Sequence, residues 1–295
     1  MNASRYDRNI LLFGAAGQEK LRATRVVVAG VGGLGSPVIQ QLALLGVGEI
    51  ALIEPEELDD TNRNRFIGAR VTDPVPGTRK AVIAHRTIIE INPDVAVTVI
   101  PHGLISPLAF AAIKAADWVF GCFDHDGPRY ILNELCAAYD KPYIDLASDV
   151  PEPGVYGGHV CVCTRQGCLS CFDMLDMAAV ERYLTSAEER AARDAIYGIA
   201  PGALAEKKGP SVAPMNGLIA TLGTMEFMVA VTGLRAPRTL FNYRGHLGKL
   251  TDSQQPGRKP HCQFCSVARG QREAADVERY LRMPHLRQDR LVANP

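Results

Sequence analysis

Net charge is the first thing this chain lacks. Its 295 residues include 32 Lys plus Arg and 32 Asp plus Glu, so the formal charge is zero with His neutral. Composition therefore offers no electrostatic pull toward nucleic acid or a membrane surface, and neither is expected as a partner. No apolar run reaches the ~18–20 residues that cross a bilayer. The opening MNASRYDRNILLFG carries charges where a signal peptide needs its apolar stretch, so a cytoplasmic protein is expected. There is no internal repeat, and no low-complexity sequence beyond the polar TDSQQPGRKP. In a reducing compartment the eight cysteines do not suit a disulfide framework, which leaves metal binding or plain burial. The chain is long enough for one large α/β domain or two modest ones.

What is present is an alternation of strands and helices. Residues 1–24 read as an N-terminal helical arm, with the helix over 4–23. Strands are expected at Val26–Ala29, Glu49–Ile53, Ala96–Ile100, Asp117–Gly121 and Tyr143–Leu146. Helices are expected at Pro37–Leu45, Arg79–Ile91, Pro107–Ala115 and Pro128–Tyr139. Such alternation predicts a parallel sheet covered by helices on both faces, with ligands beyond the carboxyl ends of the strands. After Leu146 the pattern changes. GVYGGHVCVC alternates like a strand, residues 173–210 read as a mobile crossover above the active face, and SVAPMNGLIATLGTMEFMVAVTG as a long buried helix.

The segment GVGGLGS places Gly30, Gly32, Gly33 and Gly35 between a strand and a helix. Glycines there permit a tight turn and let backbone amides approach phosphates. Glu54 ends the second strand, where an acidic side chain would meet ribose hydroxyls. Up to this point NAD and ATP are equally served. Asn62 and Arg65 in TNRNRF, Lys80 in GTRKA, and Asp124 in DHDGPR flank the same predicted crevice, as do Arg129 and Asn133 on the next helix. Singly, Arg65 or Lys80 reads as a solvated charge and Asp124 as a helix N-cap. Jointly they suit phosphoryl chemistry, in which cations offset charge on phosphorus oxygens and a carboxylate holds Mg²⁺.

Cys168 and Cys171 form one C-x-x-C and Cys262 and Cys265 another. Two such pairs suit a closed, tetrahedral structural zinc site. Loop closure over the long separation grows only logarithmically in cost, and zinc binding worth roughly 10–16 kcal/mol would offset it. Cys122, Cys136, Cys161 and Cys163 fall in strand or helix patterns and read as small buried hydrophobes. His85, His102 and His159 read as structural or solvent-facing. His125, beside Asp124, is the histidine worth testing.

In order along the chain, RYDRN, GVGGLGS, IEPE, TNRNRF, GTRKA and DHDGPR resemble the motifs of the ThiF/MoeB/HesA family, prokaryotic relatives of ubiquitin-activating E1 enzymes. The likeness runs from the arm through the second cysteine pair. It implies an α/β, Rossmann-like, doubly wound and mostly parallel sheet with a C-terminal strand extension and a four-cysteine zinc site. Residues 25–166 would be the nucleotide-binding half and 167–295 the zinc-binding, crossover and C-terminal part of the same domain. By this resemblance Gly33 lies against the phosphates and Glu54 binds ribose. Asn62, Arg65 and Lys80 contact the triphosphate, Asp124 coordinates Mg²⁺, and Arg8 enters the site of a second subunit in a homodimer. The implied reaction is ATP-dependent adenylation of the C-terminal carboxylate of a ubiquitin-like or sulfur-carrier protein, with an E2-like or sulfur-donor partner downstream. Alternatives are adenylation of a ribosomally made peptide or other small carboxylate, a non-catalytic E1-like scaffold, or an NAD-binding oxidoreductase. Relatives that pass the acyl group to a thiol usually keep a cysteine in the crossover, and none lies between Phe172 and Pro210. Glu54 and Glu56 replace aspartates, Thr61 a serine, Arg63 an apolar residue, and Phe66 and Asn9 glutamines. Arg63 and Phe66 point to a changed acceptor or dimer contact.

Overall fold

The computed structural model describes residues 4–196, 209–253 and 257–288. Helix α1 (Asp7–Arg22) kinks at Gly14, whose backbone leaves the helical region. There follow β1 (Arg25–Ala29), α2 (Gly35–Leu45), β2 (Glu49–Ile53), α3 (Lys80–Ile91), β3 (Ala96–Ile100), α4 (Pro107–Ala115), β4 (Trp118–Gly121) and α5 (Asp126–Ala138). The second half holds β5 (Tyr143–Glu152), β6 (Val155–Cys163), α6 (Met177–Leu184), α7 (Ala187–Ile196), α8 (Ala213–Thr232), β7 (Leu240–Arg244) and β8 (Lys249–Ser253).

Among the described residues these strands make one eight-stranded sheet in the order β3-β2-β1-β4-β5-β6-β7-β8. β3 through β5 run parallel, and β6, β7 and β8 extend the sheet antiparallel. The central parallel strands are short apolar runs buried on both faces, as helices on both sides require. One apolar layer packs α4, α5 and the cysteine-rich segments on one face, and a second packs α2, α3 and α8 on the other. Strand order reverses between β1 and β4, which opens a crevice at their carboxyl ends.

Two expectations about this framework need revision. β5 does not stop at Leu146 but continues to Glu152, because its far half pairs with β6 as a hairpin. α8 is long and apolar enough to cross a membrane by length and composition, which a search for uncharged runs misses because Glu226 interrupts the segment. In the fold Glu226 is buried and ion-paired with Arg235, and α8 packs on α1, α2, β5 and β6. The crossover read at 173–210 contains α6 and α7, and its stretch 197–208 lies outside the described residues.

Candidate nucleotide site

The crevice begins at the turn from β1 into α2. Gly30 sits at φ +87°, which disfavours any side chain, and Gly35 packs directly on the Gly30 carbonyl. Nothing lies within 4 Å of where a side chain on Gly32 would start. At Gly33 a side chain would begin 2.4 Å from Asn216 Nδ2 and 3.0 Å from Arg65 Cδ, so only glycine lets those two groups close on the turn. Helix α2 starts two residues earlier than its sequence pattern predicts, inside the glycine segment itself.

One wall is assembled from β2 and the loop after it. Glu54 is buried, and both of its carboxylate oxygens accept backbone N–H groups: Oε2 from Val31 at 2.8 Å and Oε1 from Glu56 at 2.9 Å. Burial pushes the Glu54 carboxyl up, while the Lys80 charge and the two amide bonds pull it back. In this structure, then, Glu54 shapes the glycine turn. Lys80 opens α3, is buried, and places its ammonium on the Glu56 carboxylate. Asn62 closes a reciprocal cap in the 3-10 turn Asp60–Asn62: its Oδ1 accepts from Asp59 N at 3.0 Å, while Asp59 accepts from Thr61 N. Arg65 donates to the Thr61 carbonyl at 2.6 Å and to Asn64 Oδ1 at 2.9 Å. Arg63 and Phe66 are engaged inside this chain. Arg63 binds Asp60 and the carbonyls of Arg70 and Asp73, and Phe66 is buried in the α2/α3/α8 layer.

The opposite wall comes from the β4–α5 junction. Asp124 is not the N-cap of α5; His125 is, without a side-chain capping bond. The Asp124 side chain is 89% exposed, with one carboxylate oxygen 3.5 Å from His125 Nε2. Arg129 and Asn133, expected beside it in the crevice, turn inward. Asn133 Oδ1 accepts from Leu169 N at 3.0 Å, joining α5 to the first cysteine pair. Arg129 is buried against Asp145 at 2.6 Å, pairs also with Asp126, and lies 2.9 Å from His159 Nε2. Tyr143 donates to Asp145 as well. Burial alone would push the Asp145 carboxyl up, but Arg129 and His159 hold it far below the ordinary carboxylate range. Asp126 in turn accepts from Asp176 N at 2.8 Å, tying the start of α5 to the start of α6. Motif reading missed this network. Its signal was Asp145 inside the otherwise apolar YIDLA, since a buried acid demands a buried partner.

Arg8 is exposed on α1. The residue ahead of that helix, Tyr6, packs on Gly46 and accepts a hydrogen bond from Asn92 at the ends of α2 and α3, the edge of the sheet away from the crevice. Arg8 therefore does not join the crevice of its own chain.

The four cysteines do converge. Sulfur separations are 3.8 Å for Cys168–Cys171, 3.6 Å for Cys168–Cys262 and 3.7 Å for Cys171–Cys265, and all four lie within 4.8 Å of one another. Tetrahedral Zn–S bonds of about 2.3 Å demand sulfurs about 3.8 Å apart, so the set fits zinc. The Lys259 backbone N–H donates to Cys171 Sγ and Arg269 Nη2 to Cys265 Sγ, each at 3.4 Å, as thiolate ligands of a metal would require. Cys136, Cys161 and Cys163 are buried, as a small hydrophobe would be, and Cys122 is partly so.

Comparison with known proteins places this geometry in context. The chain is 36% identical over 143 residues to the adenylyltransferase and sulfurtransferase UBA4 of Candida albicans, covering 48% of this chain and 32% of that protein. It is 34% identical over 142 residues to the sulfur carrier protein adenylyltransferase of Thermus thermophilus, covering 48% and 52%. The matched stretch thus spans between a third and about half of these relatives. Among solved structures, Escherichia coli MccB with ATP aligns at TM-score 0.68 and 22% identity over 90% of this chain and 75% of that one. MccB with a MccA peptide aligns at 0.71 and 22%, covering 90% and 76%. At that identity the likeness is one of fold. Residues 6–265, from the arm to the last cysteine, match the ThiF family, and the chain belongs to it.

Proposed function

We propose that this protein uses Mg·ATP to adenylate a C-terminal carboxylate, releasing pyrophosphate and leaving an acyl-adenylate. The observation that carries this reading is the approach of Arg65 to Gly33, with Glu54 bound into the same turn and the charge of Lys80, held on Glu56, acting on Glu54. A dinucleotide site has little use for that convergence of cations. A glycine turn holding a triphosphate does, because charge accumulates on the departing pyrophosphate. Relatives support it: UBA4 and the Thermus protein are described as adenylyltransferases, and the SAMP-activating enzyme E1 of Haloferax volcanii as an activating enzyme.

In this reading a carboxylate oxygen of the tail attacks the α-phosphorus, and the bond from that phosphorus to the β-bridging oxygen breaks. A carboxylate is already nucleophilic at neutral pH, so no general base is needed; alignment and charge stabilisation supply the rate. Arg65 and Lys80 stabilise the phosphates, with Asn62 at the wall beside them. Lys80 meets the nucleotide only by sharing or leaving Glu56. Asp124 offers one exposed carboxylate, the donor set of an Mg²⁺ ion held mostly by phosphates and water. When bound, that ion neutralises the phosphate charge. Arg8 acts only across a homodimer. Zinc is structural, because four thiolates leave it no open position.

The substrate class is the flexible tail of a ubiquitin-like or sulfur-carrier protein. A second reading, a short peptide, is favoured by the wide fold match to MccB, described with MccA. The test is pyrophosphate–ATP exchange with purified candidates from each class. Exchange that depends on a free C-terminal carboxylate and is abolished in D124A is expected. Binding of NAD but not ATP, or exchange unaffected in D124A, overturns the proposal.

A further inference from the structure

Resting on the adenylation reading, we infer that Asn216 and Asn64 are positioning residues that, through Ser211, hold Arg65 over the glycine turn. Asn216 lies in the first turn of α8 and is buried. Its Nδ2 donates to Ser211 Oγ at 2.9 Å and sits against Gly33, while its Oδ1 is buried with no hydrogen-bond partner. An unpaired buried acceptor costs stability, so an apolar side chain would serve simple packing better at this position. The amide's use lies in the bond it makes to Ser211. From the other side Asn64 Nδ2 donates to the Ser211 carbonyl at 3.0 Å, and Asn64 Oδ1 accepts from Arg65 Nη1 at 2.9 Å. A closed path therefore runs Gly33, Asn216, Ser211, Asn64, Arg65 and back to Gly33. Three chain segments distant in sequence meet in it: the turn after β1, the loop after β2 and the return into α8.

The consequence is chemical. An arginine on a loop has several rotatable bonds to fix before it can meet a phosphate, and each fixed contact removes part of that cost in advance. Asn64 shares the guanidinium with the Thr61 carbonyl, and Ser211 and Asn216 fix Asn64 relative to the turn. None of the three need touch the nucleotide.

The experiment is a double-mutant cycle on binding of a non-hydrolysable Mg·ATP analogue, read by titration calorimetry, with thermal midpoints as control. N216V and N64A should each weaken binding roughly three- to tenfold, in line with loss of one hydrogen bond, at nearly unchanged midpoint. In an R65A background neither should weaken binding further, because the group they position is gone. S211A should fall between, and N64Q should recover part of the loss of N64A. Equal losses with and without Arg65, or no loss in either variant, overturn the inference. If N216V fails to fold, the N64A and S211A arms decide by the same criterion. An unaltered protein that binds no ATP analogue overturns the adenylation reading and this inference with it.

Discussion

The two walls of the crevice are built on opposite plans. On the Glu54 side, Glu54, Lys80 and Asn62 are all buried and already bonded to backbone or to neighbouring side chains. Across the crevice, Asp124 and His125 project from the start of α5 with exposed side chains. Rigidity on that side lies one layer back, in Arg129–Asp145–His159 and in the cysteine cluster tied to Asn133. The first wall is preorganised by the groups that line it, and the second by groups that never reach it. Mutations should separate these plans cleanly: lining residues of the first wall affect both stability and binding, and those of the second affect rate alone.

The largest effect should come from the support behind the open wall. Cys262→Ser leaves three thiolates where a closed site needs four. Metal analysis should fall from one zinc per chain to well under one, and the thermal midpoint should drop by many degrees; a full zinc complement in this variant would refute the site. Arg129→Met comes next, because it removes the charge partner of buried Asp145 and leaves the carboxylate only Tyr143 and His159, at a cost of about 3–5 kcal/mol in denaturant unfolding. Adding Asp145→Asn should restore part of that loss. Asp124→Asn then tests the open wall itself: exchange should fall about 10²- to 10³-fold with an unmoved thermal midpoint. Glu54→Gln should behave oppositely, losing about 1–3 kcal/mol of stability because one of the two loop amides no longer has an acceptor. Equal stability losses in the two variants would erase the contrast between the walls.

The smallest effect lies beside the first wall, where Arg86 hydrogen-bonds Asp73 and holds its carboxyl at about 2, against an ordinary 3.8. Because the folded value is depressed, the pair's stabilisation is present above about pH 4 and is lost as pH falls toward about 2. Asp73→Asn should remove about 1–2 kcal/mol at neutral pH and flatten the decline between about pH 4 and 2. An unchanged slope of stability against pH in that window would show that the pair contributes nothing there.

What could be read in advance follows a physical division. Short β-branched runs separated by helical periods specify a parallel sheet locally, so β1, β2, β3 and the layers around them were legible. Gly30 and Gly35 were legible because a tight turn leaves a compositional mark, and the cysteine pairs because metal ligation imposes a spacing. Arg129 misled, since an arginine five residues after a strand-end aspartate reads the same whether it faces a phosphate or a buried carboxylate. Only the pairing of β5 with β6, which carries His159 to Asp145, decides between them.

Residue types and short spacings by themselves determined the parallel strands, the glycine turn and the two cysteine pairs, because each depends on contacts within a few residues or on one strongly directional chemistry. The tertiary structure alone decided that Glu54 braces the turn, that Asn216 closes on Gly33 from the far end of the fold's sequence, and that Arg8 stands at the wrong edge for its own crevice. Those outcomes depend on which helix end packs against which strand end, and no local pattern encodes that.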